Sequence, residues 1–305
     1  MTDFGNKEME GIIVPMITPF KKNGEIDETA LRELVSFLKS RVHGLFVNGS
    51  LGSGPLMNVE ERKKTLEIIM EEARDDIQVC CHIGAISTQD VIELGKHAEK
   101  MRAVAVASLI PYFYSHNESV IENFFITLMK EIKTPIYVYN NPARTMINIS
   151  TDLLKRLADI GIKGIKESSF NILNYYEYIQ ELKGRDFYFL VGTEALLLST
   201  TLMRCEGCIS AIANCFPEEI IELWDEAVKN NIKKAAELQE KVLNIRRALK
   251  GASTKSNCKI SAPIIQRVLR GKGINAGYPR APFMDVTEEF FKEVRNNLRN
   301  IGMNI

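Results

Sequence analysis

The sequence predicts an α/β fold, a (β/α)8 TIM barrel with a C-terminal helical extension, on three observations. Its 305 residues match one barrel of that kind plus a small addition. Eight short runs rich in β-branched and other apolar residues alternate with longer amphipathic segments, the pattern of a parallel sheet wrapped by helices. From Pro217 onward the strand signal stops and helical periodicity alone continues. We divide the chain into a barrel over 1–230 and a helical extension over 231–305, within one structural unit. An open doubly wound sheet is the alternative that the alternation by itself leaves standing.

The strand runs fall at 11–17, 44–49, 77–84, 103–109, 135–140, 162–166, 187–192 and 207–212. Most are apolar at successive positions, as strands covered on both faces require. The segments between them begin with polar or acidic residues that cap a helix and complement its dipole: Asn58-Val59-Glu60-Glu61, Ser87-Thr88-Gln89-Asp90 and Ser150-Thr151-Asp152 are the clearest. After the last run, helical patterns are expected near 218–249, 256–270 and 286–301. The prolines of Gly277-Tyr278-Pro279-Arg280-Ala281-Pro282 separate the last two.

Composition narrows the function. Thirty-nine basic residues balance 39 acidic ones, and no basic run is interleaved with aromatics, so the chain offers no track for nucleic acid. No stretch reaches the ~18 uninterrupted apolar residues of a membrane span. The polar, acidic segment 1–10 has no apolar core of a signal peptide, and a cytoplasmic protein is expected. The six cysteines are scattered, with Cys80 and Cys81 adjacent in an apolar run, which suits reduced core thiols. Cys205-Glu206-Gly207-Cys208 has zinc-knuckle spacing but no second pair to match, and the four histidines lack metal-type spacing, so no metal is expected.

In a closed barrel the working face lies at the carboxyl ends of the strands, so polar residues ending apolar runs are the candidates. Lys166 ends the sixth run. Burial there disfavours the ammonium and frees the neutral amine that attack on a ketone needs, whereas a lysine reaching to solvent is the alternative. Tyr139 shares a strand face with Tyr137 at the end of the fifth run, where a phenol can shuttle protons or simply pack. Arg144, in the following loop, can fork onto a carboxylate or stay solvated. Ser50, in the turn Gly49-Ser50-Leu51-Gly52-Ser53-Gly54, can cradle a carboxylate with backbone amides. That turn lacks the Lys-Ser/Thr ending of a nucleotide phosphate loop. Gly192-Thr193-Glu194 ends the seventh run, and His116 sits in a loop on the same face.

Several segments in this order resemble the dihydrodipicolinate synthase and N-acetylneuraminate lyase family, with likeness along nearly the whole chain. They are Val14-Pro15-Met16-Ile17-Thr18-Pro19-Phe20, the glycine turn at 49–52, Pro111-Tyr112-Phe113, Tyr139-Asn140-Asn141-Pro142-Ala143-Arg144, Gly164-Ile165-Lys166-Glu167-Ser168 and the stretch 207–214. The resemblance implies that Lys166 forms a Schiff base with pyruvate, with Tyr139 as proton relay. It implies that Ser50, Leu51, Gly192 and Ile209 line the pyruvate pocket and that catalysis needs no metal or organic cofactor. The second partner is then a small aldehyde, or in the cleavage direction a 2-keto-3-deoxy acid. A homotetramer built as a dimer of dimers is implied as well, with Tyr112 and Phe113 as candidate interface or active-site aromatics.

Two positions depart from the family. Leu51 stands where most relatives have a second hydroxyl, and Phe113 stands where dihydrodipicolinate synthases have a relay tyrosine. Arg144 matches the arginine with which those synthases hold the carboxylate of aspartate semialdehyde, so synthase activity is the leading expectation. Residues 45–49, 54–55 and 277–280 resemble archaeal 2-keto-3-deoxygluconate aldolases, which makes a sugar-acid aldolase the second. A barrel that only binds a keto acid is the third.

Overall fold

Eight parallel strands close on themselves in sequence order, and the last pairs with the first. They are β1 (Gly11–Pro15), β2 (Gly44–Val47), β3 (Gln78–His82), β4 (Ala105–Leu109), β5 (Ile136–Asn140), β6 (Gly164–Glu167), β7 (Tyr188–Val191) and β8 (Gly207–Ile209). The computed structural model describes residues 9–74, 76–250 and 261–305. Residues 1–8 of the segment 1–10 lie outside the described residues, as do residues 256–260 of the expected helix 256–270. Closure sets aside the open sheet.

Alternation along each strand divides the core into two. Ile13, Phe46, Cys80, Ala107, Tyr137, Tyr139, Leu190 and Ile209 fill the barrel, and Met9 packs with them. Ile12, Leu45, Cys81, Val106, Val138, Ile165 and Cys208 face outward into the layer shared with the helices. The adjacent Cys80 and Cys81 thus serve opposite faces, and burial keeps both thiols protonated by pushing their pKa upward. Cys205 and Cys208 are free as well, with Cys208 buried in β8. Among the described residues no cluster of metal-ligating side chains exists, and no helix is long and apolar enough to cross a membrane.

The helices are α1 (Glu28–Lys39), α2 (Val59–Ala73), α3 (Thr88–Lys100), α4 (Glu118–Glu131), α5 (Pro142–Thr145), α6 (Thr151–Asp159), α7 (Ile172–Glu181), α8 (Leu197–Thr201), α9 (Pro217–Val228), α10 (Ile232–Lys250), α11 (Ala262–Gly271) and α12 (Glu288–Asn300). Ser87 and Ser150 cap α3 and α6 as the sequence suggests. Asn58 and Glu61 form a reciprocal capping box on α2: the Asn58 side chain accepts from the Glu61 N–H at 2.9 Å, and the Glu61 carboxylate accepts from the Asn58 N–H at 3.0 Å. Asn58→Ala is expected to cost about 1 kcal/mol, read as a lower urea midpoint at unchanged slope. An unmoved midpoint would show that water replaces the cap without loss.

The one long helix expected over 218–249 is two. Asn230 adopts φ +59°, a left-handed conformation that asparagine tolerates, and this ends α9 before α10 begins. The short helices α5 and α8 escape any periodicity argument, because four or five residues hold too few turns. At the mouth of the barrel, Arg280 ties the C-terminal segment to the barrel loops. Its guanidinium donates to both Glu61 oxygens at 2.6 and 2.9 Å and, through Nε, to the Gly24 carbonyl at 2.9 Å.

Candidate active site

Strand register sets the centre of the site. β5 and β6 pair Tyr139 opposite Lys166, and both side chains point inward at the carboxyl end of the barrel. They are 4% and 5% exposed, so neither reaches bulk water, and the solvated alternative for the lysine is ruled out. The Lys166 Nζ lies 3.6 Å from the centroid of the Phe46 ring and 4.1 Å from that of Tyr139. Burial lowers the amine's pKa, and the nearby phenol and the Cys80 thiol offset it only in part. For Tyr139, burial is the largest influence and acts upward. The charge of Lys166 and hydrogen bonds with Asn141, Ser50 and Ser168 together outweigh it and leave the phenol below its ordinary value. The Asn141 side-chain amide donates to the phenol oxygen at 2.9 Å. A lysine whose ammonium form is disfavoured by burial, beside a phenol that can give or take a proton, suits addition to a ketone followed by proton transfer.

One side of the cavity, whose volume is about 470 Å³, comes from the carboxyl ends of β2, β5, β7 and β8 and the turns that follow them. Ser50 and Leu51 sit in the turn after β2, where the Gly54 N–H donates to the Gly49 carbonyl at 3.0 Å. A Cβ on Gly54 would lie 1.8 Å from the Asn48 carbonyl oxygen, so the turn closes only with glycine there. Gly192 follows β7 and donates its N–H to the Glu167 carbonyl at 2.7 Å. A Cβ here would stand 1.9 Å from the Ser168 Oγ and push that hydroxyl out of place beside the phenol. Ile209, at the end of β8, completes this part of the wall. Arg144 stands on the rim, held by the tight turn Asn141–Thr145 through its N–H to the Asn141 carbonyl at 2.8 Å. Its guanidinium is exposed and makes no ion pair or hydrogen bond among the described residues.

Seven of the residues singled out in the sequence therefore share one cavity: Ser50, Leu51, Tyr139, Arg144, Lys166, Gly192 and Ile209. Tyr112, Phe113 and His116 do not line it. Tyr112 packs against the interior cluster, whereas Phe113 is 78% exposed, with φ +83° and its ring edge-on to Tyr114. The β4 loop leaves Phe113 exposed, and closeness in sequence to an active-face strand end does not bring His116 to the pocket.

Sequence reasoning missed the far wall, formed by Phe170, Arg246 of α10, Ser261, Ala262 and Phe283. Arg246 pairs with the fully buried Glu194, whose other carboxylate oxygen accepts from the Ser210 hydroxyl at 2.9 Å. Nothing in the periodicity of α10 distinguishes Arg246 from its neighbour Arg247, and only packing of the extension onto the barrel does.

Comparison with known proteins places this geometry in context. The model of the dihydrodipicolinate synthetase family matches residues 8–301. The chain is 30% identical over 298 residues to a 4-hydroxy-tetrahydrodipicolinate synthase from Methanocaldococcus jannaschii, covering 96% of this chain and 99% of that protein. Its fold is similar to dihydrodipicolinate synthase from Bacteroides thetaiotaomicron, with a TM-score of 0.90 and 26% identity over 97% of this chain and 99% of that one. It is also similar to a variant of 2-keto-3-deoxygluconate aldolase from Sulfolobus solfataricus, with a TM-score of 0.86 and 25% identity over 96% of each chain.

Proposed function

Because this chain belongs to the dihydrodipicolinate synthetase family, whose enzymes are pyruvate-dependent lyases of the class I aldolase type, we propose that its own reaction joins pyruvate to aspartate semialdehyde. Enzymes of this family work through a covalent Schiff base between lysine and pyruvate, with no external cofactor. In this reading the Lys166 amine adds to the ketone carbon of pyruvate. Tyr139 carries a proton to the departing hydroxyl, and water leaves. The Tyr139 phenolate left by that transfer takes a methyl proton to give an enamine. The enamine carbon attacks the aldehyde while the aldehyde oxygen takes that proton back, and water hydrolyses the resulting imine to return the amine. The Ser50-Leu51 turn, Gly192 and the Ile209 carbonyl hold the pyruvate end.

The observation that carries the choice of aldehyde is Arg144, an unpaired guanidinium on the rim of the Lys166 cavity. A fork of N–H donors with no partner of its own is suited to a distal carboxylate. Arg144→Ala is expected to lower kcat/KM for aspartate semialdehyde by ~10²-fold, the scale of a lost charged contact, and to leave pyruvate trapping on Lys166 intact. Arg144→Lys should rescue only part of this, because a point charge lacks the fork. An equally small effect on a carboxylate-bearing and a neutral aldehyde would remove the support for this assignment.

A sugar-acid aldolase is the second reading. The Glu194–Arg246 pair on the far wall offers an acceptor and a donor side by side, which suits hydroxyl groups on a neutral aldehyde. The same kinetic comparison separates the two, since a polyol gives Arg144 no carboxylate to hold. We further propose a cytoplasmic homotetramer, in which the exposed Phe113–Tyr114 pair lies at a subunit contact. The family's lyase activity leaves the barrel that only binds without support.

A further inference from the structure

The register that sets Tyr139 opposite Lys166 also sets the next residues, Asn140 and Glu167, opposite each other. Alternation sends this second pair outward, into the layer between the sheet and the helices, where Asn140 is fully buried and Glu167 is 3% exposed. Their side chains meet: the Asn140 amide nitrogen donates to one Glu167 carboxylate oxygen at 2.6 Å. The other oxygen accepts the Ser169 N–H at 2.6 Å. The same Asn140 amide donates to the Asn148 side-chain oxygen at 2.8 Å, and its own oxygen accepts the Ile149 N–H at 3.3 Å. The Tyr178 hydroxyl closes the group by donating to the Ile149 carbonyl.

Among the described residues no cationic side chain pairs with the Glu167 carboxylate. A buried carboxylate without a countercharge is costly, so a reason is needed for having one here instead of a neutral amide. The hydrogen bonds supply it. Two N–H groups converge on this side chain from different loops, and only a group with two acceptor oxygens satisfies both. Burial raises its pKa above the ordinary carboxylate range.

What these two N–H groups belong to gives the carboxylate its consequence. Asn140, with Asn148 and Ile149, pins both ends of the loop that carries Asn141 and Arg144. Ser169 anchors the turn that carries Ser168. Asn141 and Ser168 are two of the three groups that hydrogen-bond the Tyr139 phenol. We propose that Glu167 is a positioning residue, whose carboxylate locks the β5 and β6 loops together and so fixes the partners of the Tyr139 phenol beside Lys166. This rests on the reading of Lys166 and Tyr139 as the reacting pair.

Glu167→Gln tests it, because one of the two converging N–H groups then faces an NH2. Turnover is expected to fall by ~10- to 100-fold, the effect of a small misplacement, while borohydride still traps pyruvate on Lys166. The alkaline limb of the pH profile should move upward, since the phenol loses hydrogen bonds that lower its pKa. The other ionisable groups around the phenol are Lys166 from β6, Cys80 and His82 from β3, and Arg144 and Glu194 with Arg246 at the cavity wall. Burial keeps the thiol protonated and the imidazole neutral.

The paired change Glu167→Gln with Asn140→Asp reverses the donor and acceptor of the contact and, once the Asn148 amide turns its NH2 toward the new carboxylate, should recover part of the turnover and move the limb back. It also serves if the single variant folds poorly. Near-normal turnover in Glu167→Gln overturns the proposal. So does a loss that follows thermal stability with an unmoved pH limb, which is what a purely structural residue would give. Wild-type protein that takes no label on Lys166 overturns the Schiff-base reading itself, and this proposal with it.

Discussion

Lys166→Ala is expected to abolish borohydride trapping of pyruvate and to reduce turnover on the order of 10⁴- to 10⁶-fold, the scale seen when a covalent nucleophile is removed. The amine is buried against the rings of Phe46 and Tyr139, and no other lysine among the described residues lines the cavity. Mass spectrometry should therefore place the reduced adduct on Lys166 alone, and an adduct on the neighbouring Lys163 would overturn the assignment. Trapping in the wild type should also proceed at a pH below that at which an ordinary lysine, near ~10.4, loses its proton.

The same lowered pKa has a consequence for folding. The unfolded amine holds its proton at a pH where the folded one has given it up, so the unfolded state binds more protons and stability rises with pH across that interval. The penalty is full below the folded value and gone above the ordinary one. Lys166→Met, which keeps most of the side-chain volume, should flatten this slope in denaturant titrations run from neutral to alkaline pH. An unchanged slope would mean that Lys166 is not its source.

Tyr139→Phe is expected to preserve pyruvate labelling on Lys166 and to slow turnover by ~10²-fold or more, the usual scale for losing a positioned acid and base. The ring keeps its edge-on packing with Phe46 and His82 at centroid distances of 5.9 and 5.7 Å, so the wall of the cavity stays in place. What disappears is the hydroxyl to which Asn141 donates. Leaving that buried amide without its acceptor should also lower stability by ~1–2 kcal/mol. Single-turnover kinetics separate formation of the Schiff base from the later proton transfers. Near-normal rates in both phases would show that protons travel through Ser50 or Ser168 without the phenol.

How much of this was legible in the sequence differs by element. The eight strands, the caps at Asn58, Ser87 and Ser150, and the placement of Lys166 and Tyr139 at strand ends all follow from local pattern. Each depends on residues a few positions apart, where alternation, capping chemistry and turn residues act directly. The break at Asn230 is local too, but helical periodicity on both sides masks it.

The far wall of the cavity was not legible. Arg246 reaches Glu194 across 52 positions of sequence, and Phe283 arrives from beyond α11. Nor was the outward pair of Asn140 and Glu167, whose contact depends on the register of two strands and not on spacing along either. The sequence by itself determined the strand and helix order, the placement of Lys166 and Tyr139 at adjacent strand ends and the family to which the chain belongs. Tertiary structure alone decided that Arg144 is left unpaired, that Phe113 and His116 do not line the cavity, and which groups surround the phenol. The physical reason is that patterning fixes which face a residue occupies, whereas burial, pairing and pKa depend on what distant segments bring to that face.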